Sequence, residues 1–131
     1  MANQKVNHSV WHAAVDQSIA KSANARTEWW DTNGWTDKVV EFEIDDAGTV
    51  DINITMEVSE QGYYELNNKT CTTDDYSSID IVDAHTGKVT VRKDAQDIDD
   101  LQRPIRSARF FLENDEANTA STFNVRLSGW S

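Results

Sequence analysis

Three of the chain's five tryptophans fall in one stretch, Glu28-Trp29-Trp30-Asp31-Thr32-Asn33-Gly34-Trp35. Indole rings beside Asp, Asn and Thr support two kinds of recognition. They can stack on a sugar whose hydroxyls the polar neighbours hold. They can equally anchor a protein interface, where a few aromatic side chains carry most of the binding free energy. A third reading places alternate members, such as Trp30 and Trp35, inside the chain's own core. Tyr63-Tyr64 after Gly62 is a second aromatic pair open to the same three readings. In the N-terminal segment Val6, Val10, Trp11 and Val15 need apolar partners that so short and polar a stretch cannot give itself. These four residues, with Trp29, Trp30, Trp35, Tyr63 and Tyr64, are the interface candidates.

The catalytic possibilities are thinner. His8 and His12 are four apart, the spacing of two zinc ligands on a helix, but no Cys or carboxylate follows at a useful distance. His85 reads as a solvated turn residue. Asp94-Ala95-Gln96-Asp97-Ile98-Asp99-Asp100 invites calcium, with Asp97, Asp99 or Asp100 as oxygen ligands, yet it lacks the glycine turn and closing glutamate of an EF-hand. Cys71 has no adjacent base, and there is no nucleophile elbow or glycine-rich phosphate loop. No carboxylate pair among the 23 acidic residues is marked by apolar neighbours that would raise a pKa. The expectation is a protein that is not an enzyme and needs no metal or cofactor.

Twelve basic against 23 acidic residues leave a formal charge of -11. Such a field repels phosphate backbones and anionic membranes, so neither nucleic acid nor a membrane is an expected partner. The apolar runs are far shorter than the ~20 residues that span a bilayer as a helix. The opening residues lack the cationic start and apolar run of a secretory signal, which points to synthesis in a cytoplasm. Three Asn-x-Ser/Thr matches, at Asn7, Asn53 and Asn68, then read as coincidence. A single cysteine allows no internal disulfide.

The elements that must position these residues are short strands. Val39-Val40-Glu41-Phe42-Glu43-Ile44 alternates, and Val50 to Val58 alternates over nine residues with Val50, Ile52, Ile54, Met56 and Val58 on one face. Asp45-Asp46-Ala47-Gly48 reads as a tight turn between them. Ser78 to Asp83 and Lys88 to Arg92 flank Ala84-His85-Thr86-Gly87 as an expected hairpin. Arg106 to Leu112 and Ser121 to Leu127 suggest another, with Phe110 and Leu112 inward and Phe111 outward. Asp94 to Arg103 reads as an acidic surface loop with room for one helical turn. The predicted core adds Ile79, Ile81, Val89, Val91, Phe123, Val125 and Leu127. The fold class is all-β, an antiparallel β-sandwich of jelly-roll or Ig-like type with an extended N-terminal arm. Residues 1–26 form the arm or edge segment, favoured over the helix that Val6, Val10, Trp11, Val15 and Ile19 would also permit, and residues 27–131 form the sandwich domain.

The order of features resembles small β-sandwich structural proteins of tailed bacteriophages. Thr27-Glu28-Trp29-Trp30-Asp31-Thr32-Asn33-Gly34-Trp35-Thr36-Asp37-Lys38-Val39-Val40 is similar to their glycine-centred turn into the first core strand. Gly48-Thr49-Val50, Glu57 to Tyr64, and the stretch from Arg109-Phe110 to Val125-Arg126-Leu127-Ser128-Gly129 follow in the same order. The resemblance implies a non-enzymatic virion protein of the capsid decoration, head-fibre or tail-accessory type. It also implies assembly with other virion proteins and with copies of itself. The alternative is a carbohydrate-binding or lectin-like module that uses exposed Trp and Tyr.

Overall fold

The computed structural model describes residues 8–45, 52–85, 89–94, 96–115 and 120–130. Their strands are β1 (His8–Ile19), β2 (Ala23–Arg26), β3 (Trp30–Asp31), β4 (Asp37–Asp45), β5 (Ile52–Ser59), β6 (Ser77–His85), β7 (Val89–Lys93), β8 (Ser107–Asn114) and β9 (Ser121–Trp130). A short helix, α1 (Tyr63–Asn67), lies between β5 and β6, and a 3-10 turn, Asp99–Gln102, precedes β8. One sheet has the order β1-β9-β4-β7 and the other β2-β8-β5-β6, with β3 also paired to β8. The strand pairs are antiparallel. Apart from β2-β3 and β5-β6, each strand crosses to the opposite sheet from its predecessor, which is jelly-roll connectivity.

That connectivity corrects the expected hairpins. β6 pairs with β5 and β7 with β4, while β8 pairs with β5 and β9 with β4 and β1. Neither β6-β7 nor β8-β9 is a hairpin, because alternation marks the buried face of a strand and does not name its neighbour. β4 and β5 likewise sit in opposite sheets. The turn expected at Asp45 to Gly48 runs into residues outside those described.

The core lies between the sheets. Val40, Phe42, Ile44, Phe123, Val125 and Leu127 come from one, and Ile52, Ile54, Met56, Val58, Ile79, Ile81, Phe110 and Leu112 from the other. The period-two pattern located all of these. Phe111 faces outward as expected, under the Arg26 guanidinium at 3.9 Å. The side chains of Val89 and Val91 lie outside the described set. The acidic loop has its helical turn, but it is not only surface: Leu101 is a buried member of the core cluster, as is Ile105 just beyond the loop.

Residues 8–26 supply two edge strands, one to each sheet. β1 looked partly helical because its pairing with β9 slips between His12 and Ala14 and again between Ala14 and Gln17. Extra residues at such bulges break strict alternation, so the inward residues Trp11, Ala14 and Ile19 are spaced by three and five. Asp16 takes a positive φ of 47° there, and its N–H donates to the Asn124 side chain at 2.8 Å. Asn114, fully buried on β8, donates to the Ile19 and Ala20 carbonyls and ties the end of β1 to the second sheet.

Candidate functional site

The Trp-rich stretch is built by a turn. The Trp35 N–H donates to the Thr32 carbonyl at 3.0 Å, and Gly34 has a φ of +87°, the left-handed value a type II turn requires at its third position. Asp31 Oδ1 accepts the Asn33 N–H at 3.0 Å, and buried Thr32 donates its hydroxyl to the Ile105 carbonyl at 2.6 Å. The turn therefore fixes β3 beside β8 and sends the chain into β4.

The tryptophans then part ways. Trp35 is partly buried against the core, its ring lying so close to Gly129 that a Cβ there would fall 2.1 Å from it. Trp11 is buried at 5% exposure; it meets Phe110 and stacks on Trp30 with centroids 5.4 Å apart and planes within 5°. Trp30 keeps 39% of its surface exposed. Trp29 is buried at 2%, outside the main core cluster. Its backbone N–H donates to Asn67 Oδ1 at 2.8 Å and its carbonyl accepts from Asn67 Nδ2 at 3.0 Å, so α1 clamps it with both amide atoms. Tyr63 and Tyr64 are exposed, as are Val10 and Val15. Val6 lies outside the described residues. Of the nine candidates, Val10, Val15, Trp30, Tyr63 and Tyr64 are thus exposed, while Trp11 and Trp29 are buried.

Trp29, Trp30 and Tyr63 come together with Glu28, Asp31 and Asn67 around a cavity of about 220 Å³. Behind it the outer face of the second sheet carries a charged layer that the sequence reading missed. Glu57 is 2% exposed. It accepts from Arg109 Nε at 2.6 Å and from Arg26 Nε at 3.0 Å. Arg109 in turn lies over Trp29 at 4.5 Å and Tyr76 at 5.2 Å. Register explains the meeting, since Glu57 stands opposite Arg109 on β8 and Arg26 opposite Phe111 one strand further out. No spacing within the sequence encodes that register.

The other polar features are structural. Lys38 is buried, and its ammonium donates to the carbonyls of Trp35 at 3.2 Å and Arg103 at 2.9 Å. Burial holds its pKa below the ordinary lysine value, against the pull of the Asp37 carboxylate. Asp75 organises the β5-β6 connection by accepting from Lys69 at 2.7 Å, the Thr72 N–H at 2.8 Å and Gln61 at 3.0 Å. Those hydrogen bonds, the one from Lys69 foremost, hold its carboxyl well below the usual range. His8 and His12 lie on a strand, and His8 stacks on Trp130 at 4.6 Å. His85 ends β6 and does not sit in a turn. Asp94 takes the N–H groups of Gln96 and Asp97, and its own N–H donates to the Asp97 carboxylate at 3.1 Å. Among the described residues no three His, Cys, Asp or Glu side chains gather as a metal site would need, and no helix is long and apolar enough to cross a membrane.

No family model matches the chain, and no curated protein matches it. Solved structures are similar in fold. Infectious bursal disease virus VP2 in its subviral particle aligns with a TM-score of 0.56 at 8% identity, covering 96% of this chain and 32% of that one. The infectious bursal virus derived T=1 particle aligns at 0.58 with 9% identity, covering 96% and 31%. The Gx strain of the same virus aligns at 0.56 with 8% identity, covering 97% and 32%. The chain spans about a third of the length of these structures. At such low identity the likeness is one of fold alone, a two-sheet antiparallel β-sandwich.

Proposed function

We propose that this chain is a non-enzymatic structural subunit of a virus particle. More finely, we read it as a decoration or accessory component of the tailed-phage kind that self-associates and contacts other virion proteins. The observation that carries this reading is the jelly-roll sandwich, aligned over 96% of its length with a subunit of a viral particle. The exposed Val10, Val15, Trp30, Tyr63 and Tyr64 support it, since aromatic and aliphatic side chains of this kind anchor interfaces.

Two measurements test the proposal. Mass spectrometry and antibody labelling of purified particles should find the chain at a copy number set by particle symmetry. Light scattering of the purified chain should find a defined oligomer. A chain that is monomeric at all concentrations and absent from particles overturns the reading. The lectin-like alternative draws on Trp30 and Tyr63 beside Asp31, and it would gain from saturable binding of a free sugar.

A further inference from the structure

We propose that the cavity between Trp29, Trp30 and Tyr63 is a guanidinium pocket that receives an arginine side chain from a basic neighbouring protein. The inference deepens the structural-subunit reading and rests on it for the partner, though not for the pocket's chemistry.

The lining is rich in acceptors and poor in donors. Glu28 and Asp31 bring carboxylates, one Asp31 oxygen already holding the Asn33 N–H, while Trp30 and Tyr63 bring exposed ring surface and buried Trp29 backs the cavity. Asn67 is the one lining amide, and both of its polar atoms are engaged by the Trp29 backbone. The Trp29 indole N–H is buried and out of a ligand's reach. Apart from the Tyr63 phenol and the Trp30 indole N–H, the side chains of the lining offer acceptors, so a ligand gains most by bringing its own donors. A guanidinium has five N–H donors, no acceptor, and a flat face that stacks on aromatic rings. A sugar hydroxyl can also donate to these carboxylates, but it carries no positive charge to meet two of them, as a guanidinium does.

The same surface already uses this chemistry twice. Arg26 lies on Phe111 and Arg109 on Trp29 and Tyr76, both paired with the single carboxylate of Glu57. The cavity beside buried Trp29 repeats the composition with the exposed Trp30 and Tyr63 as rings and Glu28 and Asp31 as carboxylates, but without a cation in the lining. Arg106 stands against Gly62, one residue before Tyr63, and is not part of that lining. The walls are also held in place: Trp30 by its stack on Trp11, Trp29 by Asn67, and Asp31 by pairing with Ser107. Little ordering is then left for the binding step.

Size and charge select the partner. About 220 Å³ is below the ~300–1,000 Å³ of small-molecule sites, and it suits a side-chain head delivered by a protein. With a net charge of -11 the chain attracts basic surfaces and repels its own copies at long range.

The test is a titration of the intact, nitrogen-15-labelled chain with N-acetyl-arginine amide, read on the indole N–H signals. The expected result is saturable shifts at Trp29 and Trp30 but not at Trp130. The shifts should vanish in Trp30→Ala and need at least tenfold more probe in Glu28→Gln combined with Asp31→Asn. Methyl glucoside should leave the spectrum unchanged. Uniform, non-saturating shifts, or saturation by the glucoside instead, overturn the pocket. A photoreactive phenylalanine analogue in place of exposed Tyr64 identifies the partner in assembled particles. An arginine-bearing peptide of a basic protein supports the proposal; a peptide of this same chain, or no cross-link, overturns the assigned partner. Absence of the chain from particles, with the titration positive, undoes the structural-subunit reading and leaves the pocket standing.

Discussion

Replacing Trp11 with alanine separates a core strand from an assembly arm. The side chain is 5% exposed, contacts Phe110 at 5.8 Å and stacks on Trp30 at 5.4 Å. Truncating a buried Trp to Ala costs roughly 3–5 kcal/mol. About 0.5–1.5 kcal/mol of that belongs to the ring stack. A domain of this size has about 5–15 kcal/mol of stability in all, so the loss is a large share. With a urea slope of about 2 kcal/mol/M the midpoint should fall by about 1.5–2.5 M with the slope unchanged. Adding Trp30→Ala should cost less in the Trp11→Ala background than in the wild type, because the stack is already gone. Size-exclusion chromatography of the same samples supplies the second readout. A midpoint that moves by less than about 0.3 M while oligomerisation is lost would refute the argument, since Trp11 would then be an interface anchor with no part in this chain's core.

Gly129→Ala should destabilise the chain by roughly 1–3 kcal/mol, because the added methyl meets the Trp35 ring; thermal melts followed by tryptophan fluorescence will show it. Lys38 has a folded-state pKa below its unfolded value, so between the two the unfolded chain holds more protons and stability rises with pH. Urea melts from neutral pH to about pH 10 should show the wild type gaining on Lys38→Met as the ammonium deprotonates. Asp75 has the same sign in an acidic window: its depressed carboxyl contributes stability above the unfolded value of about 4, and that contribution is lost as pH falls toward the folded value. Asp75→Asn should accordingly lose less stability than the wild type between pH 5 and pH 2.

Much of the fold was written in the strands themselves. Ile52, Ile54, Met56 and Val58 alternate with polar residues, and the face they define is the face that is buried. A strand's partner is written nowhere in that alternation. β8 and β9 follow one another with the pattern of a hairpin, yet each finds its neighbours far away in the chain, β5 for one and β4 and β1 for the other. Both solutions bury the same residues, so local periodicity cannot choose between them. The bulged β1 marks the other limit, where one extra residue at a time shifts the inward positions and mimics a helical stripe.

The candidate site was legible as a composition but not as a geometry. Trp29, Trp30, Tyr63 and Tyr64 were marked by aromatic clustering, which cannot tell a side chain that faces outward from one that holds a neighbour in place. Trp29 illustrates the difference. It is almost fully buried, but burial does not make it inert, because Asn67 fixes its backbone and Arg109 fixes its ring as one wall of an open cavity. Glu57 extends the point one layer inward. Its carboxylate sits on the polar face of β5, where alternation predicts a solvated residue. It is buried because Arg26 and Arg109 converge on it from two different strands. A buried carboxylate without partners is strongly unfavourable, so the three groups stand or fall together. The wall that Trp29 gives the cavity depends on the same layer through Arg109. Strand register, acting through Glu57, thereby sets the shape of a surface that the sequence shows only as a run of tryptophans.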